Sequence, residues 1–182
     1  DNVAMGDNLA AYVDGGGKVV LGQWCLPTAG NYLSGAIMTE AYCPVTGSFY
    51  EGGAYNGDGT DCVHDMVTSY ESSTYFDVAT LVDGAISDGT FNNPSNSLAV
   101  AWREDRMVYY SPGNTGGYLG TGDWVQLTCN MYLCEDSGPE TIPLMVTGPG
   151  AGADNPPQVR VWDPNDSLAL VGEWAAYGAE DY

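Results

Sequence analysis

Positive charge is what this sequence most lacks. Lys18, Arg103, Arg106 and Arg160 stand against 24 aspartates and glutamates, for a formal charge of −20 over 182 residues. A surface with that field repels phosphate backbones and has too few cations to release counterions from them, so nucleic acid is excluded as a natural partner. High salt, divalent cations and cationic polymers all suit such a surface. Histidine is scarcer still: His64 is the only one, so any imidazole chemistry has a single candidate. No run approaches the roughly 18 apolar residues of a membrane span, and no leader with a charged start and an apolar middle opens the chain. The expectation is a chain without a membrane span, whose export signal is removed or lies upstream of Asp1.

Five cysteines stand at Cys25, Cys43, Cys62, Cys129 and Cys134, with no CxxC pair and no Cys/His zinc set among them. In an oxidising compartment they give two disulfides and one odd thiol, which would bridge subunits or stay buried. Cys129 and Cys134 are close enough in sequence to pair across a bend, whereas Cys25, Cys43 and Cys62 would close longer loops. Hydrophobic residues make up 44% of the chain, enough for a packed core in one ordinary domain or one domain with a small appendage.

In "AMGDNLAAYV", Met5, Leu9, Tyr12 and Val13 recur at spacings of three and four, which predicts a short amphipathic helix capped by Asp1 or Asn2 and ended by Gly15, Gly16 and Gly17. "KVVLGQWC" follows as a buried strand of a parallel sheet. Glycine, serine, threonine and tyrosine dominate from 28 to 75, and "TGSFYEGGAYNGDGTD" is the loop-richest part. "MVTSY", "TYFDVATLV", "SLAVAWRE", "DRMVYYSP" and "DWVQLTCNMYL" are apolar runs rich in β-branched and aromatic residues and read as strands. "AVAWREDRMVYY" reads as a hairpin with Glu104 and Asp105 at its turn. Residues 135–143, acidic and proline-punctuated, fit a linker, and 144–182 read as an antiparallel, blade-like unit that needs something else to pack on. The expected architecture is mixed α/β and β-rich: an α/β part over 1–134, the linker, and the C-terminal β unit.

Order and spacing add a resemblance. "GDNLAAYVDGGGKVVL", "LAVAWREDRMVYY" and "GDWVQLTCNMYL" resemble, over residues 3 to 134, the class I glutamine amidotransferase-like, flavodoxin-type domains of large secreted bacterial surface proteins. "MVTGPGAGADNPPQVRVWDPNDSLALVGEWAAYGAEDY" is similar to one FG-GAP or integrin-type propeller repeat. The resemblance implies a partial flavodoxin-like sheet that lacks its opening strands and a repeat that stops before its calcium loop. It also implies an extracellular or cell-surface setting, and either a segment of something longer or a compact derivative that completes its sheet with a neighbour.

Chemistry has few candidates. Cys25 ends a predicted strand, where amidotransferase relatives hold a nucleophile, but the glycines that flank such an elbow are missing. A Cys-His dyad would have to join Cys25 to His64, oriented by Asp61 or Asp65. Asn56, Asp58 and Asp61 are spaced much like the oxygen ligands of a calcium loop, although the order around Gly59 and Thr60 is broken and the closing glutamate is missing. "DPND", 163 to 166, suits a type I turn, and Asn165 heads a glycosylation sequon. Five tryptophans and thirteen tyrosines serve a core, an interface or a sugar platform. The leading expectation is a non-catalytic structural or adhesive module without a cofactor, which joins copies of itself or other segments of a larger surface protein, forming filaments. A Cys-His hydrolase and a calcium- or carbohydrate-binding module are the alternatives.

Overall fold

The computed structural model describes residues 2–23, 25–26, 32–72, 75–112, 121–134, 144–147, 158–162 and 170–175. The described strands are β1 (Val19–Leu21), β2 (Val45–Gly52), β3 (Asn56–Gly57), β4 (Tyr70–Glu71), β5 (Tyr75–Leu81), β6 (Ile86–Thr90), β7 (Leu98–Arg103), β8 (Val108–Tyr110), β9 (Leu144–Thr147), β10 (Gln158–Trp162) and β11 (Leu170–Ala175). The helices are α1 (Asn2–Asp14) and α2 (Trp124–Leu133), with short 3-10 turns at Ala36–Met38 and Cys62–His64.

Helix α1 forms where the apolar spacing places it, and Leu9, Ala10 and Val13 are buried on its inner face. The glycines end it as expected: Gly16 takes a φ of 91° and its amide bonds the carbonyl of Val13. This left-handed backbone is free of steric cost only for glycine. Strand β1 follows, buried throughout.

Seven strands share one sheet in the order β11-β10-β9-β1-β8-β7-β6. Strand β1 pairs in parallel with β8 on one side and β9 on the other, and every other pairing in that sheet is antiparallel. The β7–β8 hairpin forms as predicted, with Glu104 and Asp105 between its strands. The C-terminal strands β9, β10 and β11 are antiparallel to one another, as expected of that unit, but they extend the main sheet through β9. They thereby find the packing partner that so short a unit needs. The linker span 135–143 lies outside the described residues.

Both faces of the sheet are covered. Val19, Leu21, Val108 and Tyr110 join α1, Ile37 and Val45 in one core, while Val20 and Tyr109 join Trp124, Leu127 and Met131 of α2 in the other. Alternation along β1 and β8 produces this split, because successive side chains of a strand point to opposite faces. Strands β2 and β5 form a separate antiparallel ribbon.

One prediction fails here. "DWVQLTCNMYL" is a helix, not a strand. Its buried residues Trp124, Leu127, Thr128 and Met131 stand at positions i, i+3, i+4 and i+7, the period of a helix face. Its β-branched and aromatic content had suggested a strand, and the period overrides that content. "MVTSY" likewise yields strand only at its last residue, Tyr70, which opens β4.

Candidate functional site

The densest polar constellation surrounds the one histidine. The 3-10 turn at Cys62–His64 begins after Asp61, whose carbonyl takes the His64 amide at 2.7 Å. The turn leaves the imidazole buried, 8% exposed. Its Nδ1 lies 2.6 Å from Asp88 Oδ2 on β6, and its Nε2 lies 2.8 Å from the Tyr70 hydroxyl on β4. Tyr70, itself buried, also donates to the Asp58 carbonyl at 2.9 Å. Asp88 further accepts the amides of Thr60 and Asp61 at 3.0 and 2.8 Å. Burial alone pushes the Asp88 carboxyl upward, yet those two amides and the imidazole hold it below the ordinary aspartate range. Burial raises the Tyr70 phenol, and the Asp58 and Asp88 carboxylates add to that effect.

Glycines allow this approach. A Cβ on Gly59 would stand 2.1 Å from the His64 ring, and one on Gly57 would stand 2.1 Å from the Tyr70 ring. The "YNGDGTD" stretch is therefore a close-fitting strap. It lies along the outer edge of β6: Asp58 donates its amide to the Thr90 carbonyl at 3.0 Å and takes the Thr90 amide on Oδ1 at 2.8 Å. Asn56 and Asn92 continue the pairing, and Gly57 bridges Phe91. The bare sheet edge expected from the sequence is filled at this end, because backbone groups there must find partners.

Helix α2 holds the same turn from behind. Cys62 and Cys134 form a disulfide with their Cα atoms 5.5 Å apart, and Asn130 donates to the carbonyls of Val63 and Asp65 at 3.0 and 2.7 Å. This pairing replaces the local Cys129–Cys134 bridge that the sequence allowed. Residues five apart on a helix are separated by roughly 7.5 Å of rise, beyond the span a disulfide bridges. Asp123 docks the start of α2 by accepting the Thr68 hydroxyl and amide at 2.6 and 2.8 Å and the Ser69 amide at 3.1 Å. Those bonds, the Thr68 hydroxyl first, hold its carboxyl below the ordinary range. Trp124 Nε1 donates to the Glu71 carbonyl at 3.0 Å.

The other candidate residues are not brought together. Cys25 is fully buried in the core on the α1 face, whereas Val63, beside His64, packs in the core on the α2 face. The sheet lies between the two, so the Cys25–His64 dyad is not assembled. Cys43 is buried in the same core as Cys25, and burial pushes its thiol up to about 12. Cys129 is partly buried, and burial raises its thiol as well. None of these three is in a disulfide, so one bridge forms among the described residues where two were expected. The proposed calcium ligands serve the strap: Asp58 through its carboxylate and carbonyl, Asn56 and Asp61 through their backbones. Among the described residues no group of three or more His, Cys, Asp and Glu side chains is placed to hold a metal ion. Asn165 and the 163–166 turn lie outside the described residues.

Chemically, Asp88 and His64 have the relative placement of an acid that orients a base. The far ring nitrogen, however, meets a buried phenol already bonded to a carbonyl, and among the described residues no other hydroxyl or thiol is bonded to the ring. The arrangement binds segments together. Sequence reading missed Asp88 and Tyr70, because nothing local links "DCVHDM" to the "SDGT" of β6; only the topology does. The basic side chains that are described are all engaged. Lys18 donates to the Tyr132 carbonyl, Arg103 to the Glu40 carbonyl and Asp105, and Arg106 pairs with Asp14 and covers the Tyr42 ring.

No family model matches the chain, and no curated protein does. Among solved structures, the crystal structure of a β-galactosidase from Rahnella sp. R3 is similar over 87% of this chain, at 12% identity and a TM-score of 0.49. The chain spans 25% of that protein's length, and a likeness of this degree carries no functional argument.

Proposed function

We propose that the chain is a non-catalytic, acidic module of the extracellular space or cell surface. It joins copies of itself or other segments of a larger surface protein, and its repeated joining builds filaments. The observation that carries the reading is the fate of the lone histidine: one ring nitrogen is taken by Asp88 of β6 and the other by Tyr70 of β4, so both are consumed in holding segments together. With Cys25 and Cys43 sealed in the core, the groups a thiol hydrolase would use are structural. The Cys62–Cys134 bridge supports an oxidising compartment.

Within this reading the sheet is the flavodoxin-type one of amidotransferase-like domains, with β1 at its parallel centre and a propeller-like repeat appended. Joining proceeds at the β11 edge, the end of the sheet opposite the strapped β6. Added strands use main-chain hydrogen bonds and tolerate many sequences. At −20 per chain, association requires screening by salt or divalent cations.

Replacing Val171 by lysine on β11 tests the reading, since charge on an edge strand discourages pairing. The expected result is loss of higher-order species in light scattering with an unchanged monomer melting curve. Assembly that is indifferent to charge on β11 would contradict this route of joining.

A further inference from the structure

The hydrogen bonds around His64 can be counted against the protons available to serve them. Three contacts must be served in series: Nδ1 to Asp88, Nε2 to the Tyr70 oxygen, and the Tyr70 hydroxyl to the Asp58 carbonyl. A phenol has one proton and a neutral imidazole has one, which leaves three contacts for two protons. If the phenol turns its proton to Nε2, the Asp58 carbonyl loses its donor. If the imidazole keeps its proton on Nε2, a bare Nδ1 faces a carboxylate at 2.6 Å. With the Asp88 carboxyl held low and therefore ionised, only the imidazolium serves all three, donating from both nitrogens while Tyr70 donates onward.

The surroundings agree. The titratable groups bonded to the ring are Asp88 on β6 and Tyr70 on β4, and the ring's own segment carries Asp58, Asp61 and Asp65. Helix α2 contributes the neutral Asn130 and Trp124. No lysine or arginine is bonded to the ring or to Asp88 among the described residues.

We propose that the protonated His64 is a latch that keeps the 56–65 strap on the outer edge of β6, and that loss of its proton loosens the strap and uncovers that edge. The device is independent of the β11 edge invoked above. It would act as a proton-sensitive guard on the second edge, closed while His64 is charged and loosened when it is neutral. The sign follows from the bonds: a ring with both protons donates to Asp88 and to Tyr70, whereas a ring with one proton donates to only one of them, so the strap is tightest while His64 holds both.

Because His64 is the only histidine, its signals are unambiguous. Long-range 1H–15N correlation spectra of the whole oxidised chain at pH 6 should show protons on both ring nitrogens. Amide exchange, corrected for intrinsic rates, should show protection at Asp58, Thr60, Asp61 and Thr90 falling about tenfold or more between roughly pH 6 and 9, the worth of one charge-assisted hydrogen bond. Core amides such as those of Val20 and Val100 serve as the control and should not change. His64→Gln should flatten the strap's pH profile. Should that variant fail to fold, Asp88→Asn keeps an acceptor while removing the charge and should flatten it equally. A singly protonated ring at pH 6, or strap protection that stays parallel to the core amides across the pH range, would overturn the proposal. Failure of strand addition at β11 would overturn the proposed route of joining and leave the strap proposal standing.

Discussion

A methyl group on Gly59 would sit inside the His64 ring, and one on Gly89 would stand 1.6 Å from the Asp58 carbonyl oxygen, at a residue with φ of 73°. Two glycines thus set the strap against β6. Gly89→Ala should lower the urea midpoint and expose the strap to proteases while leaving the α1 face intact. Gly59→Ala should cost about 1–3 kcal/mol, the range for overpacking a filled site, read from urea unfolding followed by tryptophan fluorescence. Asp88 adds an acid dependence. Its carboxyl is depressed in the fold, so its contribution is present above the ordinary aspartate range and is lost as pH falls through the depressed value. Asp88→Asn should flatten that acid slope in a series of melts. Thiol reactivity follows burial. Iodoacetamide at pH 8 should leave Cys25 and Cys43 unmodified in the native chain and reach Cys129 first, as peptide masses would show; rapid labelling of Cys25 alone would revive the hydrolase reading. The sequence made these cysteines and His64 visible as candidates, but it could not tell which partners the fold supplies. Asp88 lies 24 residues from His64, and its role depends on the strap crossing back over a strand edge.

At the level of elements, legibility followed the strength of the period. Helix α1, the glycine stop, β1 and the β7–β8 hairpin were readable, because each couples an apolar pattern to punctuation that admits one backbone. Helix α2 was not read as a helix, although Trp124, Leu127 and Met131 carried the helical spacing; tryptophan, valine, threonine and tyrosine outweighed it by propensity. The helix also decides the disulfide, since it holds Cys129 and Cys134 too far apart to pair and leaves Cys134 to Cys62. Two outcomes test α2 as it stands. Leu127→Ala, at a fully buried position, should cost about 2–5 kcal/mol, whereas Gln126→Ala on the neighbouring face should cost far less. Breaking the Cys62–Cys134 bridge, which closes 72 residues, should remove about 4 kcal/mol on the loop-entropy account, and should release the His64 turn from α2 first in hydrogen exchange. Packing of α1 is equally specific, because a Cβ on Gly6 would stand 1.7 Å from the Ser34 carbonyl oxygen.

For the whole molecule, charge and topology bear on one question, how this chain meets others. Its sheet has a strapped edge at β6 and a terminal strand at β11, with helices over both faces, and the proposed function assigns growth to lateral addition of strands at β11. Self-repulsion opposes it, and the described cations are engaged internally. Assembly should therefore strengthen with ionic strength, the reverse of attraction between opposite charges. Among the described residues no helix is long and apolar enough to cross a membrane. The most direct measurement is light scattering with negative-stain electron microscopy on the oxidised chain, from low to high salt and across concentration. The account predicts concentration-dependent particles that lengthen into fibres as salt rises. Uniform monomers at every salt and concentration would contradict it.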